Sequence, residues 1–329
     1  MSKINKQKQG IRRKNILDYE TISPLIKMQD IPFDEAVKVF LQDCSIRNLS
    51  EYTVNWYRDK LKLFLMRLDK DIKSPDGIKV NHIKEFILKY RRDRPGGEER
   101  ADSSINGVLR AVRSFLNYCY NEGLISENVG AKVKTIKERE KIVQTFSKEQ
   151  VRELMKQPDL KTFTGLRDFT ILMLLVDVGI RVSELVKICI HDVSWREKLI
   201  TVNGKGGKQR QLPLHLSTIT QLQKYYRIRG ELKTRAFFVT VDNDPISVRQ
   251  VQEQIKKYGR MAKITGIRVS PHTIRHTFAK FWIKNGGDPF TLQKILGHTD
   301  LTMTRRYVNM FSADLQEAHK KFSPIDRIF

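Results

Sequence analysis

Cysteine is scarce: Cys44, Cys119 and Cys189 are the only three in 329 residues. An odd number, widely spaced and set in apolar helical patterns, excludes a disulfide framework or a cysteine metal set and leaves small core residues in a reducing compartment. Long apolar runs are also missing. The longest candidate, Phe169 to Val176, is bracketed by Asp168 and Asp177 and falls well short of the roughly 18 residues of a membrane span. No hydrophobic stretch follows the basic start Lys3, Lys6, Lys8, Arg12, Arg13 and Lys14, which speaks against a secretory signal. A cytoplasmic protein without membrane partners is expected. Acidic residues are the third shortage: 37 Asp plus Glu face 61 Lys plus Arg, giving a net charge of +24 and a pI near 9.9. An intracellular chain of this charge points to a polyanion, nucleic acid being the commonest. The 40% hydrophobic and 30% charged content is that of a folded protein, and the length suggests about two domains.

Residues 1–30 are polar, basic and aperiodic, the pattern of a flexible N-terminal arm. From 31 to 131 the spacing predicts a helical domain. Phe33, Ala36, Val37, Phe40, Leu41 and Cys44 share one face, Ser50 and Thr53 open a second helix, a third follows Asn81, and a fourth buries Ile105 to Cys119 before stopping at Gly123. Charge dominates from 132 to 146, which reads as a linker. A capping box, Ser147 to Gln150, opens a second domain over 147–329. Helices are expected at about 148–156, 166–178, 216–229, 247–263, 272–284 and 290–296, with a hairpin formed by Lys198–Val202 and Gln209–Leu214, and Phe237–Thr240 as a third strand. The expected fold is mainly α with a small antiparallel β-sheet, and no repeat of 20–50 residues is visible.

Five features of the second domain carry chemistry. Arg181 follows Gly179 at a helix start, where a guanidinium fork can meet a phosphate; the plainer alternative is a surface ion pair with Glu184. Gly204-Lys205-Gly206-Gly207-Lys208 sits at the hairpin tip. It lacks Walker A spacing, so nucleotide hydrolysis is excluded, but a lysine there can enter a DNA groove and donate a proton. His272 and Arg275, after Pro271, lie one helical turn apart and can converge on an anion. Zinc at His272 and His276 would need a third ligand and the glutamate that this helix lacks. His298 follows Gly297 at a helix end, and Tyr307 comes nine residues later. Each alone has an ordinary structural explanation. Together they supply what phosphodiester cleavage by a side-chain oxygen needs, namely cations around the phosphate, a nucleophile and a proton donor.

In this order the residues resemble the tyrosine recombinase or phage-type integrase family over roughly Pro32 to Phe329. The resemblance implies a helical core-binding domain followed by an α+β catalytic domain. It also implies a catalytic set of Arg181, Lys205, His272, Arg275, His298 and the nucleophile Tyr307; spacing alone would admit Lys208 for Lys205 and His276 for His272. Tyr57 and Tyr258 lack this setting and read as packing residues. The implied reaction exchanges one phosphodiester for another through a 3′-phosphotyrosyl bond, with no cofactor and no metal. The implied partners are double-stranded DNA with inverted-repeat core sites, accessory DNA-bending proteins, and three further copies of the chain in a tetramer. Phe311, Leu315, Ala318 and Phe322 form the apolar stripe of a C-terminal oligomerisation helix, with docking in its own domain the alternative. When bound to DNA the protein would associate with the bacterial nucleoid. The expected role is integrase or transposition recombinase of a mobile genetic element, the thirty residues before the helical domain exceeding the shortest resolvases. A Xer-like chromosome or plasmid resolvase is the alternative; a type IB topoisomerase and a non-catalytic DNA-binding regulator are the alternatives from other classes.

Overall fold

The structure, a computed structural model, describes residues 31–94, 96–138, 143–204, 207–297, 304, 305, 307–309, 319 and 323. The N-terminal arm, Lys205, His298 and the apolar stripe from Phe311 to Phe322 lie outside the described residues. The chain divides into two units, Met1–Glu140 and Lys141–Phe329, each with its own hydrophobic core.

The first unit is helical: α1 (Phe33–Ile46), α2 (Glu51–Leu65), α3 (Val80–Arg92), α4 (Asp102–Asn121) and the short α5 (Val129–Lys132). Asp34 and Glu35 stand in the first turn of α1 and Lys89, Arg91 and Arg92 in the last turn of α3, each sign matching its end of the helix dipole. The Ser50 hydroxyl accepts the Thr53 N–H and starts α2. The long α4 is the centre of the unit, burying Ile105, Val108, Leu109, Val112, Phe115, Leu116 and Cys119. Phe40 meets Tyr57, Phe115 and Tyr118, tying α1 to α2 and α4. Tyr57 and Tyr258 both pack, and the Tyr258 hydroxyl also donates to Asp168 at 2.8 Å. Residues after α5 stay attached because buried Asn106 brackets Ile136, taking its N–H at 2.8 Å and donating to its carbonyl at 2.9 Å.

The second unit opens with α6 (Lys148–Met155), started by the Ser147–Gln150 capping box, and the apolar α7 (Phe163–Val178). Gly179, at φ +58°, ends α7 and turns the chain into the one-turn α8 (Val182–Leu185). The sheet has three antiparallel strands in sequence order: β1 (Val193–Ser194), β2 (Leu199–Asn203) and β3 (Gln209–Pro213). Ile200 pairs with Leu212 and Val202 with Arg210, so the alternation of the strand sends Arg210 to the same buried face as Leu212. Then come α9 (Leu216–Arg229), α10 (Val248–Met261), α11 (Pro271–Lys284) and α12 (Pro289–Leu296). The Ser270 and Asp288 side chains cap α11 and α12, each of which begins with proline.

Two local expectations are corrected. Phe237–Thr240 is no strand of the sheet; Phe237, Phe238 and Val239 are buried core residues, and Val239 makes only an isolated bridge to Pro245. The third strand is instead the two-residue Val193–Ser194. Cys44 and Cys119 are fully buried in helices, whereas Cys189 is partly exposed before a 3-10 turn.

Candidate active site

Helix ends converge in the second unit, and arginines occupy them. The last carbonyls of a helix have no partner inside it and carry the negative end of its dipole. At the end of α12, Arg210 Nε donates to the Ile295 carbonyl (2.8 Å), Arg275 Nη2 to Leu296 (2.7 Å) and Arg181 Nη2 to Gly297 (3.2 Å). Arg275 also donates from Nη1 to Gly179 O at the end of α7 (2.7 Å). Gly297, at φ +63°, is left-handed, and a Cβ there would lie 3.0 Å from the Arg210 guanidinium. The left-handed backbone at Gly297 favours glycine, and any side chain there would also crowd the Arg210 guanidinium.

Glu184 balances part of this charge. It is only 4% exposed. It accepts from Arg181 Nη1 (3.0 Å), from Arg210 Nη1 and Nη2 (3.0 and 2.8 Å), and from the Arg181 backbone N–H (3.1 Å). Burial alone would raise its pKa, but the bonds and charge of Arg210, with those of Arg181, outweigh burial and hold it below the usual carboxylate value. Two guanidiniums on one carboxylate, with the charge of Arg275 felt by both Arg181 and Glu184, leave the cluster positive, as an anion site requires. Arg275, 5% exposed, is pushed down to about 10, first by burial and then by the charge of Arg181; it remains cationic at neutral pH.

The expected site residues fall into three groups. Arg181 and Arg275 come together in this cluster, with Arg181 a third exposed at its edge. His272 is exposed at the start of α11, and its pKa is lowered by partial desolvation and by Arg275, Arg268 and Arg181. Tyr307 is 2% exposed, in the core of the same unit, with its hydroxyl 2.6 Å from Nδ1 of His276. Lys205 and His298 lie outside the described residues; their neighbours Gly204 and Gly297 both border Arg210.

The sequence left Glu184 at the surface, gave no role to Arg210 and offered His276 only as an alternative to His272. Glu184 was visible only as a surface partner of Arg181, whereas it is buried and shared. Arg210 lies within the expected strand Gln209–Leu214, and only its register with Val202 reveals that it points inward. His276 lies one turn beyond His272, and nothing in the sequence states its contact with a residue 31 positions away. For a metal, one group among the described residues gathers three ligand atoms within 4.8 Å, Cys189, His191 and Asp192. Asp192 there already accepts the Cys189 N–H at 2.7 Å, as a turn cap.

The phage integrase family profile matches residues 144–313, and that of the phage integrase N-terminal SAM-like domain matches residues 37–123. The first spans more than half of the chain. This protein belongs to the phage integrase family of tyrosine recombinases, DNA strand-exchange enzymes. Among curated relatives, the tyrosine recombinase XerD of Staphylococcus haemolyticus is 30% identical over 287 residues, 84% of this chain and 94% of that protein. The tyrosine recombinase XerC of Chlamydia caviae is 32% identical over 231 residues, 69% and 74% of the two chains. Two solved structures share the recombinase fold, each at 16% identity and a TM-score of 0.70. A lambda integrase dimer bound to a COC′ core site covers 91% of this chain and 83% of its own. The Tn1549 transposon integrase in complex with transposon right end DNA covers 89% and 99%. No helix among the described residues of this recombinase is long and apolar enough to cross a membrane.

Proposed function

We propose that the chain is a site-specific recombinase that cuts and rejoins double-stranded DNA through a 3′-phosphotyrosyl bond at Tyr307. The observation that carries this reading is the cluster of Arg181 and Arg210 on Glu184 with Arg275 clamped between the ends of α7 and α12, in the same unit as a buried tyrosine. Tyr307 Oη attacks the scissile phosphorus, the P–O5′ bond breaks, and the leaving oxygen takes a proton from Lys205. Arg181, Arg275 and His298 offset the charge that develops on the non-bridging oxygens, and His272 assists proton transfer or positioning. The freed 5′ hydroxyl of a partner strand then attacks the phosphotyrosine, so the number of phosphodiester bonds is conserved. Neither a metal nor a nucleotide enters a balanced exchange of this kind.

Strand exchange needs two duplexes, and the proposed working form is a tetramer on paired inverted-repeat core sites. A lambda integrase tetramer bound to a Holliday junction shares the fold at a TM-score of 0.68 and supports this assembly. The proposed role is integrase or transposition recombinase of a mobile element, acting on DNA inside the cell. Several XerC and XerD proteins match the chain at the same 28–32% identity, so it sides with neither partner of that pair. The high coverage of XerD, 94% of its length, favours the second reading, a Xer-like resolvase.

The deciding experiment uses nicked suicide duplexes from candidate element ends. Wild type is expected to form a covalent adduct that Tyr307→Phe does not; an adduct surviving that substitution refutes the assignment. Joining of two separate duplexes then distinguishes a recombinase from a topoisomerase. Resolution of a direct repeat without integration into a second molecule would favour the Xer-like role.

A further inference from the structure

Phenols ionise near pH 10, so a tyrosine that attacks phosphorus at neutral pH must send its proton somewhere as the bond forms. Tyr307 is 2% exposed, which leaves bulk water poorly placed to receive it. Its hydroxyl is instead 2.6 Å from Nδ1 of His276, with the rings 5.7 Å apart and tilted by 52°. That separation is short even for a hydrogen bond between oxygen and nitrogen. His276 is half-buried on α11, immediately after Arg275, whose guanidinium is fixed by the carbonyls of Gly179 and Leu296. The imidazole therefore sits on a rigid helix beside a clamped residue, the setting that holds a proton acceptor in place.

Building on Tyr307 as the nucleophile, we infer that His276 is a further catalytic residue, the general base that takes the phenolic proton. Neutral imidazole carries its hydrogen on Nε2 and accepts the Tyr307 O–H at Nδ1. As the Oη–P bond forms, the O–H bond breaks and the proton passes to Nδ1; the P–O5′ bond breaks and O5′ is protonated by Lys205. In rejoining, the imidazolium returns the proton to Tyr307 as the 5′ hydroxyl displaces it. The two ends of the reaction then have separate proton carriers, His276 for the nucleophile and Lys205 for the leaving group. His272 is left to the phosphate side.

The test is single-turnover cleavage at saturating enzyme, on the nicked duplex that gives the wild-type adduct. Asparagine can hydrogen-bond near the Nδ1 position but is not a base. His276→Asn is expected to cleave about 10²–10⁴-fold more slowly than wild type, with His276→Ala no worse than Asn and with melting temperature and DNA affinity unchanged. A 5′-bridging phosphorothiolate, whose leaving group needs no proton, is expected to restore Lys205→Ala and to leave His276→Asn slow. His276→Asn cleaving within about threefold of wild type would reduce the contact to positioning and overturn the inference, as would rescue of His276→Asn by the phosphorothiolate. If Tyr307→Phe still forms the adduct, the nucleophile assignment itself fails. If Tyr307→Phe is dead and His276→Asn is fast, only the role of His276 fails.

Discussion

At the scale of single residues, the site depends on Glu184. Its carboxylate holds Arg181 and Arg210 together at 2.8–3.0 Å while almost fully buried. Removing one partner of such a buried cluster leaves the others with uncompensated charge, at a cost of about 3 kcal/mol. Glu184→Gln should therefore lower the melting temperature of this unit by roughly 10 °C. The pH dependence follows from the direction of the shift. The folded pKa lies below the ordinary 4.5, so the stabilisation is complete above that value and is lost as pH falls through the lower, folded one. Melting curves of wild type and Glu184→Gln from pH 7 to pH 3 should converge at the acid end; a gap independent of pH would refute the ion-pair account. Cysteine offers a simpler check. Burial raises the pKa of all three thiols, that of Cys119 to about 12, and only Cys189 is partly exposed. A thiol reagent such as Ellman's should titrate at most one group in the native chain, and slowly.

At the scale of elements, the site is built from helix ends, and the glycines that end α7 and α12 hold it together. A Cβ on Gly179 would lie 2.4 Å from Cδ1 of buried Phe278, and its φ of +58° disfavours any L side chain. Gly179→Ala should cost about 2–4 kcal/mol from backbone strain and overpacking and displace the carbonyl that holds Arg275. Gly266→Ala, at φ +73° with open space around it, is the control and should cost only about 1 kcal/mol. Calorimetry of the pair measures the difference, and equal losses would mean that the contact with Phe278 is unimportant. These elements differ in how far sequence reveals them. The long helices were legible because apolar residues recur at helical spacing and Ser50 and Ser147 mark their starts. The edge strand was not, since Val193–Ser194 is too short to show alternation, while Phe237–Val239 imitates a strand by being buried on every side. Gly179 and Gly297 announce helix ends next to Arg181 and His298, so that half of the site could be read locally. Arg210 depends on strand register and the His276–Tyr307 contact on tertiary packing, neither of which leaves a local signature.

At the scale of the whole molecule, the charge of +24 greatly exceeds what one scissile phosphate can use. The arginine cluster engages Glu184 and helix carbonyls within the protein, so the great majority of lysines and arginines must act elsewhere. On the proposed function they grip the DNA backbone and release counterions. Affinity for a core-site duplex should then fall at least about 10³-fold between 50 and 200 mM salt, the behaviour of six or more phosphate contacts. Chemistry and grip should separate on mutation. Arg275→Ala removes one charge from an interior position, so it should change the slope of log Kd against log salt by no more than about one contact. Its cleavage rate at saturating enzyme should nevertheless drop by about 10²–10³-fold, the effect of losing one donor to a developing oxyanion. Replacing several exposed lysines should do the reverse, flattening the salt slope while the saturated rate stays near wild type. Gel-shift titrations across a salt series, paired with single-turnover cleavage of the suicide duplex, measure both quantities on the same variants. If Arg275→Ala loses only affinity and cleaves at the wild-type rate once saturated, the buried arginine belongs to the grip and the proposed division of the charge is wrong.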